Sequence, residues 1–347
     1  MQKNILYLVL LIIVGAGVYF LVFDKKDNVF GRSEASFTIK DTSDIGKIFL
    51  ARSNGESITL TRTDSGWIVN DKYKAHTSTL AGLMRTLKTQ EAQAPVAENQ
   101  HNAVITSLAG SSVKVEIYDR DGDKMRVFYV GGQSYNFGGT YMLLEGAKKP
   151  FLVKIPGFQG ILGPYYNTDL ADWRDRGVFR FDQEEITSVK MEYPQEPLNS
   201  FAIHNNGSIS VDVDPAIKGA KSLNEKRAES YLGLFQNVNC EGYLMGVIGI
   251  DTILSTVPKV CIIDVTTSKG KRQHVEIYRM PLSQRSKNIY LEDDEYDVDR
   301  FYAVLNNFRD TAIVQRWSFE DLWRRGYEFY EVDKPANVMG VTPSSDK

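Results

Sequence analysis

The sequence predicts an α+β protein, with an N-terminal transmembrane helix followed by two tandem repeats of an antiparallel sheet with a packing helix. Three observations indicate this class. The chain starts with a long apolar run that carries no charge. The remainder alternates apolar and polar residues between glycine-containing turns, which is typical of half-buried strands. Finally, the same order of strands, turns and a helix occurs twice, which indicates a duplicated unit.

The apolar run at residues 5–23 predicts a membrane anchor. Its 19 uncharged residues would form a helix of about 28 Å, close to the thickness of the bilayer hydrocarbon core. The alternative is a cleaved signal peptide with its cleavage site at residues 15–17, but the run stays apolar beyond them. Lysines flank both ends, so the positive-inside rule is nearly balanced. We expect an uncleaved signal anchor with the long C-terminal body exported, which in a bacterium would place the anchor in the inner membrane and the body in the periplasm.

Composition excludes some classes of protein and leaves others open. With 347 residues, 42% hydrophobic and 24% charged, the chain resembles a folded protein with room for two domains. The net charge is −3 and no block of Lys and Arg stands out, so we expect no nucleic-acid partner. Cys240 and Cys261 leave two interpretations open, which are one disulfide after export or two buried thiols.

Local patterns predict the elements of each repeat. Asn54-Gly55 and Asp121-Gly122 lie between alternating apolar runs and predict hairpins, because such turns need residues that tolerate positive φ. A helix between them is predicted by one apolar stripe, formed by Leu80, Leu83, Met84 and Leu87. In the second half, Ser222 and Glu225 have the spacing of a capping box and predict the start of the matching helix. A third apolar helix is predicted at residues 298–308.

The repeat appears as two constant offsets. The first strands carry the same apolar spacing 141 positions apart, with Ile45, Ile48 and Leu50 matching Ile186, Val189 and Met191. Later the offset is 148, and the matched pairs include Leu83 with Tyr231, Leu87 with Phe235, Val113 with Cys261, Ile117 with Val265 and Gly122 with Gly270. The predicted organisation is an anchor at residues 1–23, a linker at 24–36, repeat units at 37–180 and 181–332, and a disordered tail at 333–347.

Several short motifs resemble one known family. They are Ser65-Gly66-Trp67 after the early hairpin, the leucine-striped helix, Val130-Gly131-Gly132 before Tyr141, and Trp173-Arg174-Asp175. Over residues 45–315 the chain is similar to the domain-of-unknown-function 4340 family. The resemblance implies one N-terminal membrane segment, a repeated β-rich exported body and no catalytic residues. In some bacteria such proteins are encoded beside ABC-type transporter subunits similar to those of gliding-motility systems, which implies an accessory role in the envelope.

Candidate docking residues come from a recurring motif. Trp173-Arg174-Asp175 is echoed 135 positions later by Phe308-Arg309-Asp310. Two interpretations remain open for Arg174, Asp175, Arg309 and Asp310. Either a buried or half-buried arginine pins the junction after each unit, or these residues dock a partner. The sheet edges and the loops at 157–172 and 214–221 are further candidate docking surfaces.

Metal sites and catalysis have little support in the sequence. Asp119, Asp121 and Asp123 resemble the start of a calcium loop, but the later positions of an EF-hand do not match, so we interpret them as a hairpin turn. The acidic cluster at 292–299 is either a calcium site or a solvated loop that caps a following helix. The four histidines lie singly, without the spacing of a triad or a zinc site; they are His76, His101, His204 and His274. We expect no metal, no cofactor and no enzymatic activity.

These features predict a non-catalytic accessory or scaffold protein of a bacterial envelope assembly, of the transport, secretion or gliding-motility type. Its exported body would contact a membrane protein complex, such as ABC-type transporter or motility and secretion subunits. The alternative is a module that binds cell-wall glycan or lipid, which would predict a groove of exposed Tyr and Trp.

Overall fold

The computed structural model describes residues 35–135, 138–218, 222–282, 295–305 and 310–330. Within these ranges no helix is both long enough and apolar enough to cross a membrane. The predicted anchor at residues 5–23 lies outside the described residues, as does the predicted tail at 333–347. The chain divides into two compact units between Asp175 and Arg176, whereas the predicted boundary lies after residue 180. We call them unit 1 and unit 2.

Both units are built mainly from short antiparallel strands. The strands described in unit 1 are β1 Ile45–Arg52, β2 Ser57–Thr63, β3 Gly66–Val69, β4 Tyr73–Lys74, β5 Glu91–Pro95, β6 Val113–Asp119, β7 Lys124–Gln133, β8 Thr140–Leu144 and β9 Phe151–Lys154. Its helices are α1 Thr77–Thr89, α2 Glu98–Ser111 and α3 Leu170–Trp173, with a 3-10 helix at Gly163–Tyr166.

The strands described in unit 2 are β10 Gly177–Phe179, β11 Ile186–Glu192, β12 Phe201–Asn205, β13 Ile209–Val213, β14 Val238–Asn239, β15 Gly242–Tyr243, β16 Lys259–Thr267, β17 Arg272–Pro281, β18 Tyr296–Leu305 and β19 Asp310–Gln315. Its helices are α4 Pro215–Lys218, α5 Glu225–Leu232, α6 Ile250–Thr256 and α7 Arg316–Phe319, followed by a 3-10 helix at Gly326–Phe329.

The two large sheets share one strand order. In unit 1 it is β4-β3-β2-β1-β6-β7-β8-β9-β5, and in unit 2 it is β13-β12-β11-β16-β17-β18-β19-β15. Strand for strand the orders coincide, except that β4 has no counterpart in the sheet described for unit 2. Each pairing in the two sheets is antiparallel. The predicted α+β class with antiparallel sheets is confirmed.

The central strand pairs match residue by residue. Ile48 on β1 lies opposite Ile117 on β6, and the residues at the predicted offsets, Val189 and Val265, lie opposite each other in unit 2. Each of these pairs also contains one register shift near the start of its first strand, at residue 46 and at residue 187. The irregularity therefore lies at the same place in both sheets, where a bulge of this kind locally bends and twists a strand.

Equivalent helices cover one face of each sheet. The apolar stripe of α1 buries Leu83 and Leu87 in the core of unit 1, as its spacing predicts. In unit 2 the core receives Tyr231 from α5 and Phe235 from the turn after it. The capping prediction was wrong in detail, because Asn224 and not Ser222 accepts a hydrogen bond from the amide of Arg227.

The helix predicted at residues 298–308 is instead strand β18. It pairs with β17 on one side and β19 on the other. The alternate side chains of Phe301, Ala303 and Leu305 face the core and are buried. In this segment, hydrogen bonding to two neighbouring strands outweighs the helix propensity of a short apolar run.

Helix α2 was not predicted from the sequence. It packs on β7, where Gly131 makes room for it. A Cβ atom at residue 131 would lie 2.7 Å from Cδ2 of Leu108. Gly131 therefore allows a helix to approach the sheet closely.

The bulge in β1 provides a stability test. A Cβ atom added to Gly46 would lie 2.4 Å from the carbonyl oxygen of Asp119 and 2.8 Å from Cα of Arg120. We expect Gly46→Ala to lower the free energy of unfolding by about 1–3 kcal/mol, because backbone atoms cannot yield as a side chain can. Chemical denaturation of the purified chain measures this.

Gly110→Ala is the matched control, because no atom lies within 4 Å of its added Cβ and the residue is in α2. That variant should be neutral or more stable by up to about 1 kcal/mol. Equal destabilisation by both variants would contradict the close approach at Gly46.

Candidate functional site

The predicted docking residue Arg174 lies inside unit 1. The residue is only 8% exposed, and its guanidinium lies over the ring of Tyr73, 4.1 Å from the centroid. Its backbone forms an isolated β-bridge with Ala75. The next residue, Asp175, is half-buried and its amide donates to the carbonyl of Lys74 at 2.8 Å. This arrangement favours the pinning interpretation, and the docking role stays a prediction.

The proposed equivalence of Arg174-Asp175 with Arg309-Asp310 is wrong. Asp310 begins β19, and Arg309 lies outside the described residues. The bridge of Ala75 with Arg174 instead recurs as a bridge of Leu223 with Tyr330. Ala75 and Leu223 each lie two residues before the first residue of an equivalent helix, α1 or α5. Tyr330 is therefore the counterpart of Arg174.

The predicted loops differ in their accessibility. In the loop at 157–172, Leu162 and Tyr166 are buried in the core of unit 1, and the hydroxyl of Tyr166 donates to Gln90 at 2.6 Å. These two residues of the loop are therefore part of the unit's own core, whereas Phe158 is exposed. In the loop at 214–221, residues 219–221 lie outside the described residues.

A network of paired charges lies on β16 and β17. The side chain of Glu276 is 10% exposed and accepts hydrogen bonds from Nζ of Lys259 at 2.8 Å and from the hydroxyl of Tyr278. Nδ1 of His274 lies 2.7 Å from Oδ1 of Asp264, and its Nε2 lies 3.6 Å from Glu276. His274, which the sequence places alone, thus belongs to a network of hydrogen-bonded and ion-paired side chains.

The chemistry of these groups favours a structural role. Burial alone would raise the pKa of Glu276, but hydrogen bonds from Lys259 and Tyr278 outweigh it and hold this pKa below its ordinary 4.5. Burial raises the pKa of the Cys261 thiol to about 12, so this cysteine is protonated and unreactive at neutral pH. Cys240 is buried as well, which favours the interpretation of two buried thiols.

The acidic motifs form turns. Oδ1 of Asp119 accepts the amides of Asp121 at 3.0 Å and Asp123 at 2.8 Å, as expected for a hairpin turn. Residues 292–294 of the second acidic cluster lie outside the described residues. Asp297 caps the start of a strand rather than a helix, because its Oδ1 accepts the amides of Asp299 and Arg300. Within the described residues no group of His, Cys, Asp and Glu side chains could hold a metal ion.

An exposed apolar loop is the candidate interaction surface. Residues 244–249, which we call the apolar loop, have the sequence Leu-Met-Gly-Val-Ile-Gly and connect edge strand β15 to α6. Ile248 is 98% exposed, Val247 is 43% exposed and Met245 is 38% exposed. Single exposed apolar side chains are common on soluble proteins, but three within four positions form a patch of the kind found at interaction sites.

The backbone holds the apolar loop in this exposed position. Its first residue is fixed to the sheet, because the amide of Leu244 donates to the carbonyl of Thr311 at 2.8 Å. Gly246 and Gly249 have φ of +67° and +83°, a left-handed conformation that glycine adopts without the strain imposed by a Cβ atom. Two glycines thus turn the chain so that Val247 and Ile248 point outward instead of joining the core.

The glycines of this loop, rather than its apolar residues, are the sequence feature from which it could have been predicted. An apolar run such as residues 243–250 is typical of a buried strand. Two glycines, at positions 246 and 249, interrupt this run. Glycines weaken a strand and are typical of turns, so they indicate a loop whose apolar residues are exposed.

Comparison with known proteins gives one match. The model of the DUF4340 family, a domain of unknown function, matches residues 67–259. The chain belongs to the DUF4340 family. The match begins in β3 of unit 1 and ends at the start of β16, so it includes the apolar loop. No curated protein and no solved structure matches the chain.

The Glu276 network predicts a pH-dependent stability. A depressed pKa means that the folded protein favours the carboxylate, so its contribution is present above the unfolded pKa and is lost as pH falls through the folded pKa. We expect Glu276→Gln to cost about 1–3 kcal/mol at pH 7, and the difference from wild type to shrink as the pH falls below 4.5. Urea unfolding midpoints measured from pH 7 to pH 3 test this.

Glu229→Gln is the matched control on an exposed position of α5 and should stay within about 0.5 kcal/mol of wild type. A penalty for Glu276→Gln that is the same at pH 3 and pH 7 would contradict the role of the carboxylate.

Proposed function

We propose that this DUF4340 protein is a membrane-anchored, non-catalytic accessory protein of a bacterial envelope assembly that docks a protein partner through its apolar loop. Residues 5–23 are the proposed anchor, and the body lies in the periplasm. The partner belongs to a membrane complex of the transport, secretion or gliding-motility type, such as one with ABC-type transporter subunits. The protein works by holding a docking surface close to the membrane.

The observation that carries this proposal is the exposure of the apolar loop. Moving the side chain of an isoleucine from water into an apolar contact is worth about 1.5–3 kcal/mol. Folding of the chain does not supply this free energy at Ile248, because its side chain stays almost fully exposed. The start of the loop is hydrogen-bonded to a sheet edge, which reduces the conformational entropy that binding would cost. A partner with an apolar pocket would gain this free energy.

The charges around the apolar loop favour a protein over a lipid surface. Segments that insert into membrane interfaces usually carry Lys or Arg beside the apolar residues, because bilayer surfaces are anionic. From residue 241 to residue 258 the chain has no Lys or Arg, while Glu241 and Asp251 are acidic. Glu241 is paired with Arg300 at 2.8 Å, and Asp251 lies in the first turn of α6.

The non-catalytic role is supported by the charge network of unit 2. A catalytic group needs an accessible reactive atom and a pKa suited to its task. Glu276 instead has a lowered pKa and is held by Lys259 and Tyr278. The thiol of Cys261 is protonated and buried.

Photocrosslinking from the apolar loop tests the proposal. We expect a benzoylphenylalanine at residue 248 of the full chain in native membranes to crosslink to one discrete membrane-complex protein. Ile248→Asp should lower recovery of that protein with the chain about tenfold or more, because losing an apolar anchor at an interface costs about 2 kcal/mol or more. The substitution should leave the unfolding midpoint unchanged, since the side chain is exposed.

The same crosslinker at Leu198, another exposed apolar residue of unit 2, is the control and should give no such product. Crosslinks from residue 248 to lipid alone would contradict a protein partner and favour the lipid-binding alternative. Equal labelling from residues 198 and 248 would contradict a specific role of the loop.

A further inference from the structure

The surroundings of the first long helix are equivalent in the two units. In unit 1 the amide of His76 donates to the carbonyl of Trp173, and in unit 2 the amide of Asn224 donates to the carbonyl of Phe329, both at 2.8 Å. One turn further along, Thr79 donates to the carbonyl of Asp172. Its counterpart Arg227 donates through Nη1 to the carbonyl of Glu328.

These contacts align α1 with α5 residue by residue. The bridges of Ala75 with Arg174 and of Leu223 with Tyr330 give the same alignment as the offset of 148 seen in the sequence. On this alignment Gly82 of α1 corresponds to Ser230 of α5. The residues that pack over Gly82 in unit 1 can therefore be compared directly with those that pack over Ser230 in unit 2.

In unit 1 a tyrosine covers this helix position. A Cβ atom added to Gly82 would lie 3.5 Å from ring carbons Cδ1 and Cε1 of Tyr165. Tyr165 belongs to the 3-10 helix Gly163–Tyr166 and packs against the core of unit 1. An aromatic side chain from a loop thus packs over α1 at Gly82.

In unit 2 the equivalent surface lines a cavity of about 550 Å³, within the range of about 300–1,000 Å³ that ligand pockets occupy. We call it the α5 groove; its lining includes Arg227, Ser230, Tyr231, Leu234, Arg324 and Phe329. Tyr231 and Phe329 meet edge to face with centroids 5.5 Å apart. They belong to an aromatic cluster with Phe201.

The lining determines the chemistry of an occupant. Aromatic rings pack favourably against one another beyond the area that they bury, by about 0.5–1.5 kcal/mol per pair. Two guanidinium groups and the carboxylate of Glu328 lie at the same cavity, so the lining carries one more positive than negative charge. Arg324 has carboxylate neighbours in Asp321 at 3.2 Å and Glu328 at 3.6 Å. Arg227 donates to a backbone carbonyl of Glu328. Its guanidinium forms no ion pair within the part of the chain that the structure describes, so its charge can meet an incoming carboxylate.

We propose that the α5 groove binds a partner segment that presents an aromatic side chain and, within a few residues of it, a carboxylate, so that the aromatic ring covers Ser230 as Tyr165 covers the equivalent position of unit 1. The inference rests on the proposed function, in which the body acts by protein contact, and it adds a second contact of defined chemistry to the apolar loop.

The chain's own C-terminal segment is a less suitable occupant. Residues 331–347 follow directly after Tyr330, which also lines the cavity. They contain no Phe, Tyr or Trp, so they lack the aromatic side chain that unit 1 uses. A chain shortened after residue 330 makes this occupant an explicit outcome of the test.

The binding test uses a peptide taken from this chain. The probe is a labelled peptide of residues 160–169 (Gly-Ile-Leu-Gly-Pro-Tyr-Tyr-Asn-Thr-Asp), which carries the covering tyrosine and a carboxylate. Its affinity for the purified full chain is measured by fluorescence anisotropy. We expect saturable binding by this peptide and at least tenfold weaker binding by a peptide with both tyrosines replaced by alanine.

Two variants locate the binding. Ser230→Trp places a ring in the α5 groove and should weaken peptide binding at least tenfold, whereas Glu229→Trp, on an exposed neighbouring position that does not line the cavity, should leave it unchanged. Arg227→Gln should weaken binding about threefold to fivefold, the worth of one exposed ion pair. Unfolding midpoints of all three variants confirm that they are folded.

Equal binding of the two peptides, or unchanged binding by Ser230→Trp, would overturn the proposal. Binding that appears only after residues 331–347 are removed would overturn it as well, because that segment would then be the occupant. If crosslinks from residue 248 are still found in any of these cases, only the proposal for the α5 groove is rejected. The proposed function is then unaffected. Loss of those crosslinks would reject the proposed function independently of the peptide result.

Discussion

Each unit depends on one antiparallel strand pair at the centre of its sheet, β1 with β6 and β11 with β16. These pairs join a meander at the start of the unit to a second set of strands that follows a long connection. The burial of alternate side chains sets their register, because a slip of one residue would turn Ile48 and Leu50 away from the core. Both pairs also carry a register shift at the same position.

The remaining elements are arranged around this pair. Strands β2 and β3 fold back beside β1, and strands β7, β8 and β9 fold back beside β6. Helix α1 covers the face on which Leu83 and Leu87 are buried. The differences between the units lie outside this common frame, in the loops and in the residues that cover α1 and α5. The apolar loop and the α5 groove both belong to these variable parts of unit 2.

The local and repeated features of this fold could be predicted from the sequence. Asn54-Gly55 needs only its own backbone to form a hairpin, and the offsets of 141 and 148 agree with the observed strand pairing. Strand β18 could not be predicted in this way, because its identity depends on hydrogen bonds to β17 and β19. The counterpart of Arg174 was also missed, since Tyr330 shares its backbone position and not its side chain. The groove exists because, in the described part of unit 2, no tyrosine packs over α5 as Tyr165 packs over α1. A contact between residues so far apart in sequence cannot be predicted from a local pattern.

The central claim is that unit 2 meets a protein partner through the apolar loop and the α5 groove. Hydrogen–deuterium exchange compares the full chain in native membranes with the purified chain in detergent. We expect slower exchange in the membrane sample at residues 244–250 and 227–234, with unchanged exchange in the equivalent helix at residues 79–86. Identical exchange of the two unit 2 segments in both samples would contradict it.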